Sequence, residues 1–123
     1  MFITMEMCKE SLRVWLNRRN VSTIYSCDVQ LYLWMIMLCE GLQYEHNRDM
    51  IHRDVKPENL LLDHNMTLKI SDLGHITLNA SATTKTARVG TGLYRAPEQE
   101  GDKYDHRVDL YPIGNTSIIH IGI

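Results

Sequence analysis

Asp54, Lys56 and Asn59 put a base-capable carboxylate, a cation and a carboxamide into six positions of the stretch Ile51-His52-Arg53-Asp54-Val55-Lys56-Pro57-Glu58-Asn59-Leu60-Leu61-Leu62. Such residue types serve proton transfer and the stabilisation of charge. A helix would not gather them. Residues 54 and 56 point nearly opposite ways at about 3.6 residues per turn, and Pro57 resists a helix interior. The stretch therefore reads as a loop that aims several polar side chains at one point, followed by a strand at Leu60–Leu62. Loops held on a rigid scaffold commonly carry chemistry.

The flanking sequence must supply that scaffold. Phe2–Cys8 is apolar and partly alternating and reads as a strand. Ser11 is a candidate N-cap, and Leu12, Trp15 and Leu16 then repeat at helical spacing as far as Arg18-Arg19, cations at the negative end of the dipole. Asn20–Ser26 reads as a connector and Asp28 as the next N-cap. Leu31, Met35, Leu38 and Leu42 form a helical stripe flanked by Trp34 and Cys39, in a long helix ending near Tyr44–His46. Glu45 lies at the margin of that stripe or departs from it. Leu60–Leu62 and Met66–Ile70 flank Asp63-His64-Asn65 and read as a hairpin. The Ser/Thr-rich residues 75–91 show no sustained apolar period and read as a mobile loop.

Composition excludes several classes. Hydrophobic residues make up 44% and charged residues 23% of the 123, as in an ordinary soluble domain. A net charge of −2 gives no basic field for direct nucleic-acid binding. Leu31–Cys39, the longest strongly apolar stretch, is too short to span a bilayer, so no membrane contact is expected in this segment. Cys8, Cys27 and Cys39 are odd in number and widely spaced, which suits reduced thiols rather than a metal or disulfide framework.

His52–Asn59 matches the spacing His-Arg-Asp-x-x-x-x-Asn of the protein-kinase catalytic loop. Asp72-Leu73-Gly74, eighteen residues after Asp54, and Ala96-Pro97-Glu98 follow in the kinase order. Residues 1–117 resemble the middle of a eukaryotic protein kinase domain, from the hinge to the start of the central C-lobe helix. The resemblance implies an α+β, protein kinase-like fold, truncated to a hinge strand and a mainly helical C-lobe with a catalytic-loop β-hairpin. It implies one partial domain over residues 1–123.

It also implies roles. Asp54 would accept the substrate hydroxyl proton, Lys56 would steady the transferring phosphate, and Asn59 and Asp72 would hold Mg2+. ATP would lie against the backbone of the hinge Glu6-Met7-Cys8, behind the gatekeeper Met5, with Leu61 as the floor under adenine. Lys56 two residues after Asp54 is the serine/threonine pattern. Thr91 would bond to Asp54 and Lys56, and Asp109 to the catalytic-loop backbone. Arg53 would pair a phosphate on Thr84 or Thr86, with Thr83 next in order.

Phe2–Cys8 with Leu12, Trp15 and Leu16 is similar to the kinases of the eukaryotic initiation factor 2 alpha subunit. So are Val89–Tyr94, Pro97-Glu98-Gln99 and Tyr104-Asp105…Val108-Asp109-Leu110-Tyr111. That likeness implies a protein substrate, the alpha subunit itself, a cytoplasmic setting, and a kinase-domain dimer in the full-length protein.

Departures stand beside it. Arg95-Ala96, Leu73 for Phe, Asp49 for Gly, His75 for an apolar residue and Pro112, which should break the next helix, differ from the pattern. No Gly-rich loop, strand lysine or partner glutamate precedes the motif, and no arginine partner for Glu98 follows, so the isolated chain is expected to be inactive. The alternative function is a catalytically inactive kinase-like fragment acting as an interaction or decoy module. Retention of Asp54, Lys56, Asn59 and Asp72 favours the enzyme reading.

Overall fold

Ser11 starts the first helix for a local reason. Its Oγ accepts from Val14 N at 3.2 Å, pairing one of the N–H groups that a helix start leaves open. Helix α1 then spans Leu12–Arg18 and buries Leu12 and Leu16. Trp15 meets Trp34 edge to face, with ring centroids 4.9 Å apart. A computed structural model describes residues 2–18, 24–78, 85 and 88–116, with backbone alone for 24–28.

Helix α2, Ile24–His46, is the long element. It starts before Asp28, which lies in its second turn rather than at a cap. Packing of the apolar face, more than a capping side chain, decides where such a helix forms. Leu31, Trp34, Leu38 and Leu42 are buried and Met35 is partly so. Cys39 faces outward instead of flanking the core. A Cβ on Gly41 would come within 2.7 Å of Ile70 Cδ1, so the bare glycine lets α2 lie close to the hairpin.

That hairpin joins β3, Leu60–Leu62, to β4, Leu68–Ile70, in antiparallel register with Leu61 opposite Lys69. The Asp63 carboxylate accepts from Asn65 N and Thr67 N, each at 2.9 Å, and so closes the turn. Strand β1, Glu10–Ser11, adds to the other edge of β3. Trp34 Nε1 donates to Met66 O at 2.8 Å, fastening α2 to the turn and pairing a buried donor.

Three elements differ from the sequence reading. Phe2–Cys8 forms no strand, and Phe2, Ile3, Met5 and Met7 are exposed; pairing begins only where Lys9 N reaches Leu62 O at 2.8 Å. Alternating apolarity makes a strand only where a neighbour accepts its hydrogen bonds. Within residues 75–91, read as loop, Thr77–Leu78 (β5) pairs with Met50–Ile51 (β2); two residues are too few to show a period. Pro112 does not break the last helix. It occupies the first turn of α3, Tyr111–Thr116, where a missing N–H is harmless.

The His52–Asn59 segment thus runs from β2 to β3. The apolar residues in and beside it divide between a large core, containing Val55, Leu60 and Leu62 with the α1 and α2 leucines, and a small cluster of Ile51, Ala96, Tyr104 and Val108.

Candidate active site

Asp109 anchors the loop. Its Oδ2 accepts from His52 N and its Oδ1 from Arg53 N, each at 2.9 Å, and His46 Nε2 donates to Oδ2 at 2.8 Å. Arg53 has φ +73°, a costly conformation for a side chain of its size, held in place by that clamp. His52 is fully buried. Its Nδ1 accepts from Asp54 N at 3.2 Å while Nε2 reaches Ser71 O at 2.9 Å, which requires the hydrogen on Nε2. Ser71 N and Oγ in turn donate to Asn59 O at 2.9 and 3.0 Å. The residue before Asp72 is therefore stitched to both ends of the His52–Asn59 motif. Asp72 follows in a left-handed conformation, φ +60°, and is exposed.

The polar side chains of the loop converge. Asp54 is 5% exposed. Asn59 Nδ2 donates to Asp54 O at 2.8 Å and to Asp54 Oδ2 at 3.0 Å. Thr91 Oγ1 accepts from Lys56 Nζ at 2.6 Å and donates to Asp54 Oδ1 at 3.2 Å. Lys56 Nζ lies 3.7 Å from Asp54 Oδ2. Thr91 can come this close because Gly90 has φ +100° and packs on the loop, where a Cβ would lie 2.6 Å from Arg53 O.

Buried Gln99 holds the same junction. Its Oε1 accepts from Ala96 N at 2.9 Å, and its Nε2 donates to Val89 O at 3.2 Å and Arg53 O at 3.4 Å. Gln99 carried no chemical signal in the sequence beyond its place in Pro-Glu-Gln.

Other expected residues have different surroundings. The Arg53 guanidinium donates to His75 O and, at 3.2 Å, to Tyr104 Oη. Thr83, Thr84 and Thr86 lie outside the described residues. Glu6 is exposed and 3.6 Å from Lys69, the register partner of Leu61, and Cys8 is a half-buried free thiol. Glu6, Cys8 and Leu61 share no hydrogen bond with Asp54, Lys56 or Asn59.

Two further charge sites border the loop. Arg13 Nε meets Glu58 Oε1 at 2.6 Å and Arg13 Nη2 meets Tyr94 Oη at 2.7 Å, tying α1 to the turn after Pro57 and to the segment after Thr91. Burial works to raise the Glu58 carboxyl, but the Arg13 hydrogen bond, with its own backbone and the charges of Arg13 and Lys56, brings it below the usual range. Behind the loop, Glu45 is 8% exposed and its Oε2 has no hydrogen-bond partner among the described residues. Burial pushes its carboxyl above the usual range; His52 and His46 oppose that, and Asp109 adds to it.

The donor chemistry fits Mg2+. With Nδ2 committed to Asp54, Asn59 keeps its Oδ1 for a ligand, and Asp72 presents a carboxylate to solvent. No group of three or more His, Cys, Asp or Glu side chains among the described residues could cage a metal. Two hard oxygen donors suit an ion that keeps waters and binds substrate phosphates.

A buried carboxylate bridged to an ammonium by a hydroxyl and bonded by an amide is an arrangement suited to phosphoryl transfer. The protein kinase domain family matches residues 1–121, and the chain belongs to that family. It is 32% identical to eukaryotic translation initiation factor 2-alpha kinase 3 of Rattus norvegicus over 129 residues, covering 93% of this chain and 12% of that protein. It is 36% identical to eukaryotic translation initiation factor 2-alpha kinase 1 of Mus musculus over 135 residues, covering 91% of this chain and 22% of that protein. Against Aurora kinase A-B of Xenopus laevis it is 43% identical over 88 residues, covering 71% of this chain and 21% of that protein. The chain therefore spans less than a quarter of the length of these relatives. No described helix is long and apolar enough to cross a membrane.

Proposed function

We propose that this segment carries the catalytic loop of a serine/threonine protein kinase of the initiation factor 2 alpha kinase type, acting in the cytoplasm. The observation that supports it best is the Asp54–Thr91–Lys56 bridge: one hydroxyl orders a carboxylate and an ammonium around a shared point. In this reading Asp54 takes the proton of a protein seryl or threonyl hydroxyl as its oxygen attacks the γ-phosphorus of ATP. Lys56 offsets charge on the transferring group, and Asn59 orients the Asp54 carboxylate through its bond to Oδ2, beside a second bond to the Asp54 backbone carbonyl. Mg2+, when bound, neutralises phosphate charge, and Asn59 Oδ1 and the Asp72 carboxylate would hold it. The similarity to initiation factor 2 alpha kinases over 93% and 91% of the chain favours the alpha subunit as substrate.

The test is label transfer from γ-labelled ATP with Mg2+ to the initiation factor 2 alpha subunit, using the full-length gene product. Transfer that falls about 10²–10⁴-fold in Asp54→Asn is the expected result. Transfer to other protein substrates but not to the alpha subunit sinks the subfamily reading. No transfer from the unaltered protein, together with stable binding to other kinases or their substrates, favours an interaction module.

A further inference from the structure

Arg13 sits on α1 next to Leu12 and one turn before Leu16, both buried in the large core, so burial fixes the helix that carries it. Its guanidinium forks. Nε donates to Glu58 Oε1 at 2.6 Å and Nη2 to Tyr94 Oη at 2.7 Å. The two acceptors belong to separate segments. Glu58 lies inside the turn Pro57–Asn59, whose N-cap is Lys56, and Asn59 N closes that turn on Lys56 O at 2.9 Å. Tyr94 ends the turn Gly92–Tyr94, and its N–H donates to Thr91 O at 2.9 Å. Each acceptor is thus one tight turn away from one member of the Lys56–Thr91 contact.

Exposure separates the three groups. Tyr94 is 5% exposed, the Arg13 side chain 26% and the Glu58 side chain 44%. An ion pair as open as Arg13–Glu58 adds little to stability by itself. A planar guanidinium that joins a carboxylate to a buried hydroxyl acts in another way: its rigid fork sets the spacing of the groups it joins. The chain before Thr91 has its own anchors, Gly90 packed against Arg53 O and Gln99 bonded to Val89 O. After Thr91, Asn115 Nδ2 donates to Leu93 O and ties the turn to α3, while Arg13 ties the same turn to the loop that carries Lys56.

We infer that Arg13 is a positioning residue: it holds the Lys56 and Thr91 turns at the separation that lets Thr91 Oγ1 accept from Lys56 Nζ and donate to Asp54 Oδ1. Its effect on the reaction rests on the kinase reading; its effect on the loop rests on the fork alone. Arg13 need touch neither substrate nor nucleotide in this role. Without the fork the two turns separate more readily, and the ammonium meets the transferring group less often in the productive geometry. The loss therefore falls on the transition state rather than on ATP binding, which the kinase reading assigns to the hinge.

The test takes two readouts on the full-length gene product. The first is amide hydrogen exchange without nucleotide. In Arg13→Ala, exchange within 56–59 and within 91–94 should rise about tenfold, with the middle of α2 unchanged. The second is phosphotransfer, in which kcat should fall about tenfold with KM for ATP unchanged. Arg13→Lys keeps a charge opposite Glu58 but not the fork, and should stay nearer to Arg13→Ala than to the unaltered protein. Tyr94→Phe removes one acceptor and keeps the ring, so it serves even where Arg13→Ala does not fold; its kcat should fall about threefold. Unchanged exchange at either turn in Arg13→Ala overturns the inference, whether or not the protein phosphorylates anything. Faster exchange with kcat unaltered in both Arg13→Ala and Tyr94→Phe leaves a merely structural tie and also overturns it. So does full recovery in Arg13→Lys, which would assign the effect to charge. No transfer from the unaltered protein removes the kinase reading, and faster exchange at both turns would then still support the fork as the brace of the loop.

Discussion

Val55 and Leu60 fasten one side of the catalytic loop into the large core of α1, α2 and the hairpin, whereas Ile51, before the loop, joins a small cluster with Ala96, Tyr104 and Val108. On the first side the loop is held by area removed from water, which is strong but indifferent to direction. On the second side apolar area is scarce, and directional bonds take over. Asp109 grips two loop amides, Gln99 reaches Arg53 O and Val89 O, and Arg53 reaches Tyr104. The contrast has a chemical sense. Burial makes the loop stable, and the polar side sets where Asp54 and Thr91 point.

Breaking the first side should have the largest effect on stability. Trp34 is fully buried, meets Trp15 and donates to Met66 O. Trp34→Ala should cost about 3–5 kcal/mol, a large share of a small domain's stability, read as the shift of a urea unfolding midpoint. An effect below about 1 kcal/mol would mean that the large core does not hold the loop.

Breaking the second side should cost less and act more locally. Asp109→Ala strands the His52 and Arg53 amides, each deprived of a buried acceptor, at about 2–3 kcal/mol in total. Amide exchange at 52 and 53 should accelerate more than exchange in the middle of α2. Equal acceleration in both would erase the distinction between the two sides.

The smallest effect sharpens the comparison at the seam. Glu45 carries a buried carboxyl that is raised in the folded state chiefly by burial, with the charges of His52, Asp109 and His46 as smaller influences. For an acid raised in the folded state, stability is full below the unfolded value of about 4.3 and is lost as pH rises through the raised value. Glu45→Gln should therefore be more stable than the unaltered chain by about 1 kcal/mol at neutral pH and equal to it at pH below about 4. A difference that does not change with pH would place the effect in packing rather than charge.

Much of the site was legible because its signals are local. Asp54, Lys56 and Asn59 fall within six residues, Ser11 caps its own helix, and the Asp63 turn closes on Asn65 and Thr67. Short spacing and capping chemistry survive in a linear reading because a few backbone angles decide them. The places of Thr91 and Asp109 followed from the resemblance to kinases, not from local pattern. Others left no trace. Phe2–Cys8 has the alternation of a strand but no strand partner among the described residues, and Thr77–Leu78 has a partner but no length.

The order of motifs, the helical stripe of α2 and the residue types of the catalytic loop were properties of the chain alone, since side-chain spacing and covalent connectivity specify them. Tertiary structure decided which distant groups meet. Arg13 joins Glu58 and Tyr94, 45 and 81 residues away, and Gln99 closes on Arg53. Such pairings depend on how whole elements pack, and a carboxylate becomes a buried base only when the surrounding chain removes water from it.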